Sequence, residues 1–513
     1  MKIRSLIALI FLFGCASAGR EDRQELRKFF MTGAYESGFQ FLEKSKYYQE
    51  EKEKLLMLME KGILLHMKGD YEQSSLVLDQ ARSLSNQLYT TSVSKKAQKA
   101  ILNDSFDIFY GEVYERSMLY FYLSLNSILN YQKTKKRDDL FRARAEILGW
   151  DSFLSSVKED RLGKSVYKND LLLKLYGAKI HEMVGTREDD QVATVLYKDA
   201  LNVLFRNYNT YPTFNTKYKE FKADFGELAN MSLEEVKKKY VEESPLQAEL
   251  RKYIEQSAER LKNKNKLNNK NTHVTLVLEK GLIAEKIGEK SFYGLEFLSK
   301  EPIIALYVAD VLGLLPSPTT YNPGGAYVGI LTASAALHNV GVGFELPKIL
   351  NNNKPSPLSL SVVDQNKNVV ATNMVALVNP MGDIAEEAVF EQSAWLYARV
   401  GARLATKHAA AIMASFATYK ALGGGGRENS FLARNAALLQ YVGASKVIEE
   451  SERADTRYWS TLPNEIRLVD FDLAPGTYQL EATTNPIDPN QKIDLGSIVV
   501  EKQETPMLVN IRK

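Results

Sequence analysis

The apolar residues of this chain keep two different periods. Across residues 27–205 they recur three and four positions apart, the spacing that lines one face of an α-helix. Leu58, Gly62 and Leu65 fall on one such stripe, and Ser74, Leu78 and Ala81 on the next. Tyr110–Asn130, dense in aromatic residues and leucine, and Asp138–Leu148 predict a third helix pair over 110–146. A fourth covers 168–205, with Gly177 in its first helix, Ala193, Tyr197 and Ala200 in its second, and a long turn, Gly185–Asp190, between them. From Thr272 the period falls to two. Val274, Leu276 and Leu278 alternate with Thr275, Val277 and Glu279, which predicts a half-buried strand over Thr272–Lys280. Leu358–Val363 and Val369–Leu377 flank a polar turn and read as a hairpin. Val469, Phe471 and Leu473 lead through the turn Ala474–Thr477 to Tyr478, Leu480 and Ala482, and further strands are predicted near 492–500 and 506–511. Two long helices lie between these strands. One runs from a capping box at Asp383–Glu386 to Leu422, where Gly423–Gly426 stops it, and one runs from Ser430 to Ser451.

The helical half repeats itself. Gly33-Ala-Tyr35-Glu36-Ser-Gly38 parallels Gly69-Asp-Tyr71-Glu72-Gln-Ser74. The second copy fits the tetratricopeptide pattern: Leu58, Gly62 and Leu65 in the first helix, Gly69 and Tyr71 at the turn, Ser74, Leu78 and Ala81 in the second helix. Small residues let two helices approach closely and large ones fill the gap between repeats. The alternative is an ordinary helical bundle. Residues 206–271 are rich in Tyr, Asn and Lys; Leu233–Ala258 still reads as helix, and the polar run Lys262–Asn271 reads as an exposed connector. The fold class expected is therefore α+β and multidomain. A tetratricopeptide-like α-solenoid (27–205) and a linker (206–271) precede a mixed α/β domain (272–513) of antiparallel strands with two long helices.

Composition changes the picture most at the start of the chain. Lys2 and Arg4 precede a short apolar run, Ser5–Gly14, too short to span a bilayer and the right length for a signal peptide. It ends in Leu12-Phe13-Gly14-Cys15, and Cys15 is the single cysteine of 513 residues. This resembles the lipobox of bacterial lipoproteins. The resemblance implies a signal peptide at 1–14, lipidation of Cys15, a tether over 15–26 and a body held on a membrane by acyl chains. By resemblance to enterobacterial lipoprotein sorting, Ala16 after the cysteine implies the outer membrane, facing the periplasm. The near-neutral charge argues against nucleic acid as a partner.

Ala454-Asp455-Thr456-Arg457-Tyr458-Trp459-Ser460-Thr461-Leu462-Pro463, followed by Leu473-Ala-Pro475-Gly476-Thr-Tyr478, resembles the C-terminal signature of a family of uncharacterised bacterial lipoproteins. That resemblance implies a lipobox, tetratricopeptide-like N-terminal helices and an α/β C-terminal domain, and it implies no reaction. Asp455, Arg457 and Trp459 are the candidate corner. They form either a ligand-binding trio or, the favoured reading, a lock between the second long helix and the strand after it.

Chemistry is hard to find. Gly423–Gly426 lacks the Gly-Lys-Ser/Thr ending of a phosphate loop. His66, His181, His273, His338 and His408 are scattered without zinc spacing. Adjacent acids such as Asp189-Asp190, Glu386-Glu387 and Glu449-Glu450 read as solvated helix faces. No cofactor, metal or catalytic residue is expected. The expected role is an envelope scaffold or adaptor binding another envelope protein through the helical array. The alternatives are a glycan- or peptidoglycan-binding module in the C-terminal domain and, last, a hydrolase.

Overall fold

The computed structural model describes residues 15–95, 108–157, 169–223, 235, 238–239, 241–264, 271–292, 343–352, 354–422, 430–484, 492–503 and 505–513. The fold is mixed α+β. Helices come first: α1 (Cys15–Met31), α2 (Tyr35–Lys44), α3 (Lys54–Met67), α4 (Tyr71–Lys95), α5 (Val113–Thr134), α6 (Arg137–Ser156), α7 (Leu171–Val184), α8 (Arg187–Asn207), α9 (Tyr218–Ala223) and α10 (Pro245–Lys262). Each of α1 to α8 packs on its chain neighbours, so the helices stack in pairs.

The repeat-packing residues explain the closeness of those pairs. Gly33 and Gly69 hold φ near +70° and +78°, the left-handed conformation that ends one helix before Tyr35 or Tyr71 starts the next. A Cβ at Gly62 would overlap Leu78 of the facing helix, and one at Gly177 would meet Ile147 at 2.9 Å. Ala81, Ala193, Tyr197 and Ala200 are buried.

Among the described residues ten strands follow: β1 (Thr272–Lys280), β2 (Glu285–Phe292), β3 (Gly343–Leu350), β4 (Ser359–Val363), β5 (Val369–Met374), β6 (Ala376–Pro380), β7 (Glu465–Leu473), β8 (Gly476–Thr483), β9 (Lys492–Val500) and β10 (Met507–Arg512). Helices α11 (Met381–Ala421) and α12 (Ser430–Ser451) lie between β6 and β7. One sheet has the order β10-β1-β7-β6, a second β5-β4-β8-β9, and β2 pairs with β3 in a separate ribbon that packs on α11 and α12. The first sheet is the middle layer. Val277, Ile466, Leu468 and Leu508 share one core with the helix pairs. Val274, Leu276, Leu278, Val469 and Phe471 share another with the second sheet.

This layering corrects several expectations. β1 is buried on both faces, not one, because helices cover one side and a sheet the other. The strands are not all antiparallel: β10 returns beside β1 in parallel. Residues 369–377 split between sheets, β5 in one and β6 in the other, and β7 and β8 likewise belong to different sheets. The capping box at Asp383–Glu386 is absent. Helix α11 starts at Met381 without a side-chain cap, because the Asp383 carboxylate accepts instead from the Thr213 backbone N–H (3.0 Å) and Asn351 (2.9 Å). The turn before α8 is short, Gly185-Thr186, with Thr186 capping the helix. The stretch read as a tether, 15–26, is helical, and Arg23 and Leu26 are buried. The stretch read as a linker, 206–271, contributes Leu246, Leu250, Tyr253 and Ile254 to the core. Residues 1–14, Gly423–Gly426 and His338 lie outside the described residues.

Candidate functional site

The segment Asp455–Leu462 crosses the faces of α1, α3 and α5, which are the first helices of successive pairs. Its backbone is held by acids that the helices bury. The Trp459 N–H donates to Glu115 Oε1 (2.6 Å), and the Ser460 N–H and hydroxyl donate to Glu60 Oε1 (2.7 Å each). The Thr461 hydroxyl donates to the other Glu60 oxygen. Arg27 of α1 donates to the Ser460 carbonyl (2.9 Å), and Arg512 of β10 to the Thr461 carbonyl. The helical array expected to bind another envelope protein is thus occupied, in this region, by an extended piece of the same chain.

Burial dominates the electrostatics. It pushes the Glu115 carboxyl up to about 7, with Glu112 adding to the shift, although two backbone N–H groups favour the charged form. It raises Glu60 as well. Glu279, fully buried on β1, accepts from Tyr122 of α5 (2.5 Å) and Asn510 of β10 (3.0 Å). A second buried cluster ties α7 and α10 to the sheet. Lys179 Nζ donates to Asp470 (2.5 Å), which also accepts from Thr275 (2.8 Å), Ser257 (3.1 Å) and Tyr253 (3.2 Å). Burial lowers Lys179 to about 8.

Sequence reasoning singled out none of these carboxylates, although a signal was present. Glu60 stands on α3 in line with Leu56, Ile63 and Leu64, and Glu115 on α5 with Met118 and Leu119. An acid inside an apolar helical stripe has to find buried donors. Asp189, expected on a solvated face, is likewise buried: it accepts from Arg144 and Thr186 and meets His181 Nδ1 at 2.6 Å.

The structure divides the candidate corner. Asp455 and Arg457 line a pocket of about 250 Å³ together with Phe109, Glu112, Lys286 and Arg453. Arg457 grips Asp455 through two nitrogens (2.8 and 2.7 Å) and reaches Glu53 at 3.1 Å. Burial pushes the Asp455 carboxyl up, but the Arg457 guanidinium outweighs it and holds the group at about 2. Trp459 lies away from the pocket, buried with its ring 6.1 Å from Tyr122. In the aromatic stretch of α5, Tyr114, Tyr120, Phe121 and Tyr122 are buried. The Cys15 backbone opens α1. Among the described residues no cluster of His, Cys, Asp and Glu is arranged to hold a metal, and no helix is long and apolar enough to cross a membrane.

No family model and no curated protein matches the chain. A solved structure, "MamA RS-1 ArsTM double mutant", is similar over 37% of this chain and 96% of that chain at 12% identity, with a TM-score of 0.17. That score is too low to carry an argument.

Proposed function

We propose that the chain is a bacterial envelope lipoprotein, anchored through acyl chains on Cys15 to the outer membrane and facing the periplasm. On this reading its helix pairs are tetratricopeptide-like and serve as a scaffold for another envelope protein. One observation carries the partner. Successive second helices leave large apolar side chains exposed: Leu76 on α4, Phe141 and Leu148 on α6, and Val192, Val195 and Phe205 on α8. Leu148 and Val195 are 59% and 56% exposed. Covering a Leu or Val yields about 1.5–3 kcal/mol, so a few such residues suffice for a modest interface. The faces of α1, α3 and α5 are engaged by Asp455–Leu462, which leaves the second helices to meet the partner.

The anchor sits close to the body. Gly19 already packs against Tyr47, and four helical residues rise only about 6 Å. A lipid on Cys15 therefore holds the helix pairs against the headgroups instead of at the end of a long leash.

A photocrosslinking residue placed at Leu148 or at Val195 in intact cells tests the scaffold. The same discrete adduct is expected from both positions, lost with Leu148→Glu plus Val195→Glu; no adduct from either position overturns the reading. Palmitate labelling that disappears in Cys15→Ala is expected, and an unlabelled wild-type chain overturns the anchor. A second reading, a glycan or peptidoglycan ligand, is favoured by the pocket where Phe109 and Tyr110 meet Glu112, Glu345 and Arg453. Co-sedimentation of the full chain with isolated peptidoglycan, weakened by Arg453→Ala, tests it.

A further inference from the structure

Arg116 of α5 is buried, only 6% exposed, and no carboxylate among the described residues pairs with it. Its guanidinium lies between two rings, 4.7 Å from Tyr89 of α4 and 4.7 Å from Phe153 of α6. One nitrogen donates to the Asn86 side-chain oxygen (3.3 Å), and Nε–H has no acceptor. Arg403 meets Glu452, Arg467 meets Glu465 and Lys179 meets Asp470, whereas Arg23, also buried without a carboxylate, spends both terminal nitrogens on Tyr47 and Thr456. Arg82, near Arg116, pairs with Glu146 and Asp79, so neither of those acids is free to serve it. A buried charge left without a counter-charge costs several kcal/mol, and a fold that keeps one gains by admitting an anion.

Beyond those two rings Arg116 borders open space. It lines a cavity of about 550 Å³ between α4, α5 and α6, together with Asn86, Tyr89, Tyr120, Ser152 and Phe153. That volume falls within the range of sites for small organic molecules. Tyr120 and Phe153 stack with ring centroids 5.5 Å apart and planes 23° apart, with Arg82 over the first ring and Arg116 over the second, so the edges of the stacked pair give the cavity an apolar border beside the cation. A close approach makes the space: a Cβ on Gly149 would come within 3.3 Å of the Tyr120 ring.

We propose that this cleft binds a small molecule bearing one carboxylate or phosphate group on a flat apolar body, the anion meeting Arg116 and the body lying against Tyr120 and Phe153. The site is separate from the exposed apolar row offered to a protein partner, and it does not depend on that reading.

The test uses the full chain with three probes, benzoate, phenyl phosphate and inorganic phosphate, followed by calorimetry and thermal unfolding. Benzoate or phenyl phosphate, whichever headgroup the site takes, is expected to bind and to raise the melting temperature. Inorganic phosphate, which lacks the body, is expected to bind at least about tenfold more weakly than phenyl phosphate. Arg116→Gln removes the unpaired charge, so it is expected to leave the ligand-free chain folded and to weaken binding at least about tenfold. Ser152→Glu places a carboxylate at the lip of the cleft. It is expected to raise the melting temperature without ligand and to abolish binding. The proposal is overturned if neither benzoate nor phenyl phosphate binds at millimolar concentration, if binding survives Arg116→Gln in a folded chain, or if Ser152→Glu leaves binding unchanged.

Discussion

At Glu115, burial and hydrogen bonding pull in opposite directions, and burial wins. The folded value of about 7 stands above the ordinary 4.5. The folded protein therefore keeps a proton over a range in which the unfolded chain has released it. The stability this group contributes is complete below about pH 4.5 and falls as the pH rises to about 7, by about 3 kcal/mol in all. Glu115→Gln keeps an acceptor for the Trp459 N–H without the titrating proton. Urea midpoints at pH 5 and pH 7.5 are expected to lie closer together in this variant than in the wild type; an unchanged gap would count against the buried acid as its source. Glu60→Leu leaves the donors of Ser460 and Thr461 stranded in the core. A loss of about 3 kcal/mol is expected by urea titration, with Glu60→Gln losing less. These acids were visible in the chain as breaks in apolar stripes. Their partners were not, because Glu60 and Ser460 are 400 positions apart and no local pattern links them.

The elements show why periodicity reads some parts of a chain well and others poorly. Helices α3 to α8 follow from apolar spacing and from the break at Gly69, since a helix pair meets its neighbours locally. α10 was read in part and β1 was misjudged, because what covers them comes from remote chain: β6 and α8 on α10, and helices and a second sheet on β1. The alternation in β1 was correctly seen, but polar Thr275 and Glu279 face buried partners there, not water. The contact between Gly62 and Leu78 makes an element-scale test. Gly62→Ala forces Leu78 aside and is expected to cost about 1–3 kcal/mol. Leu78→Ala alone is expected to cost about 2–5 kcal/mol by cavity formation. If the two residues fill one space, the double variant loses clearly less than the two single losses together in a urea double-mutant cycle; strict additivity would refute the shared space.

Over the whole molecule, the helix pairs and the sheets do not behave as separate bodies. One apolar core runs from Leu26 and Leu56 through Trp150 to Trp459, Ile466 and Leu508. Lys179–Asp470 and Arg457–Glu53 close the same boundary with buried charge. A single unfolding transition is expected, coincident by circular dichroism and by tryptophan fluorescence. Residues 15–264 alone are expected to lack a cooperative transition, because Glu60, Glu115 and the apolar surface around them would face water; a sharp transition in that fragment would show the helices to be autonomous.

Strand β10 has a consequence for how the chain is made. It supplies Leu508 to the core and Arg512 to the Glu279–Tyr122 cluster, and Asn510 meets Glu279 across 231 positions. During synthesis, therefore, β1 lacks its parallel neighbour and the buried Glu279 carboxylate lacks its Asn510 and Arg512 partners until this late edge emerges, whatever has already formed upstream.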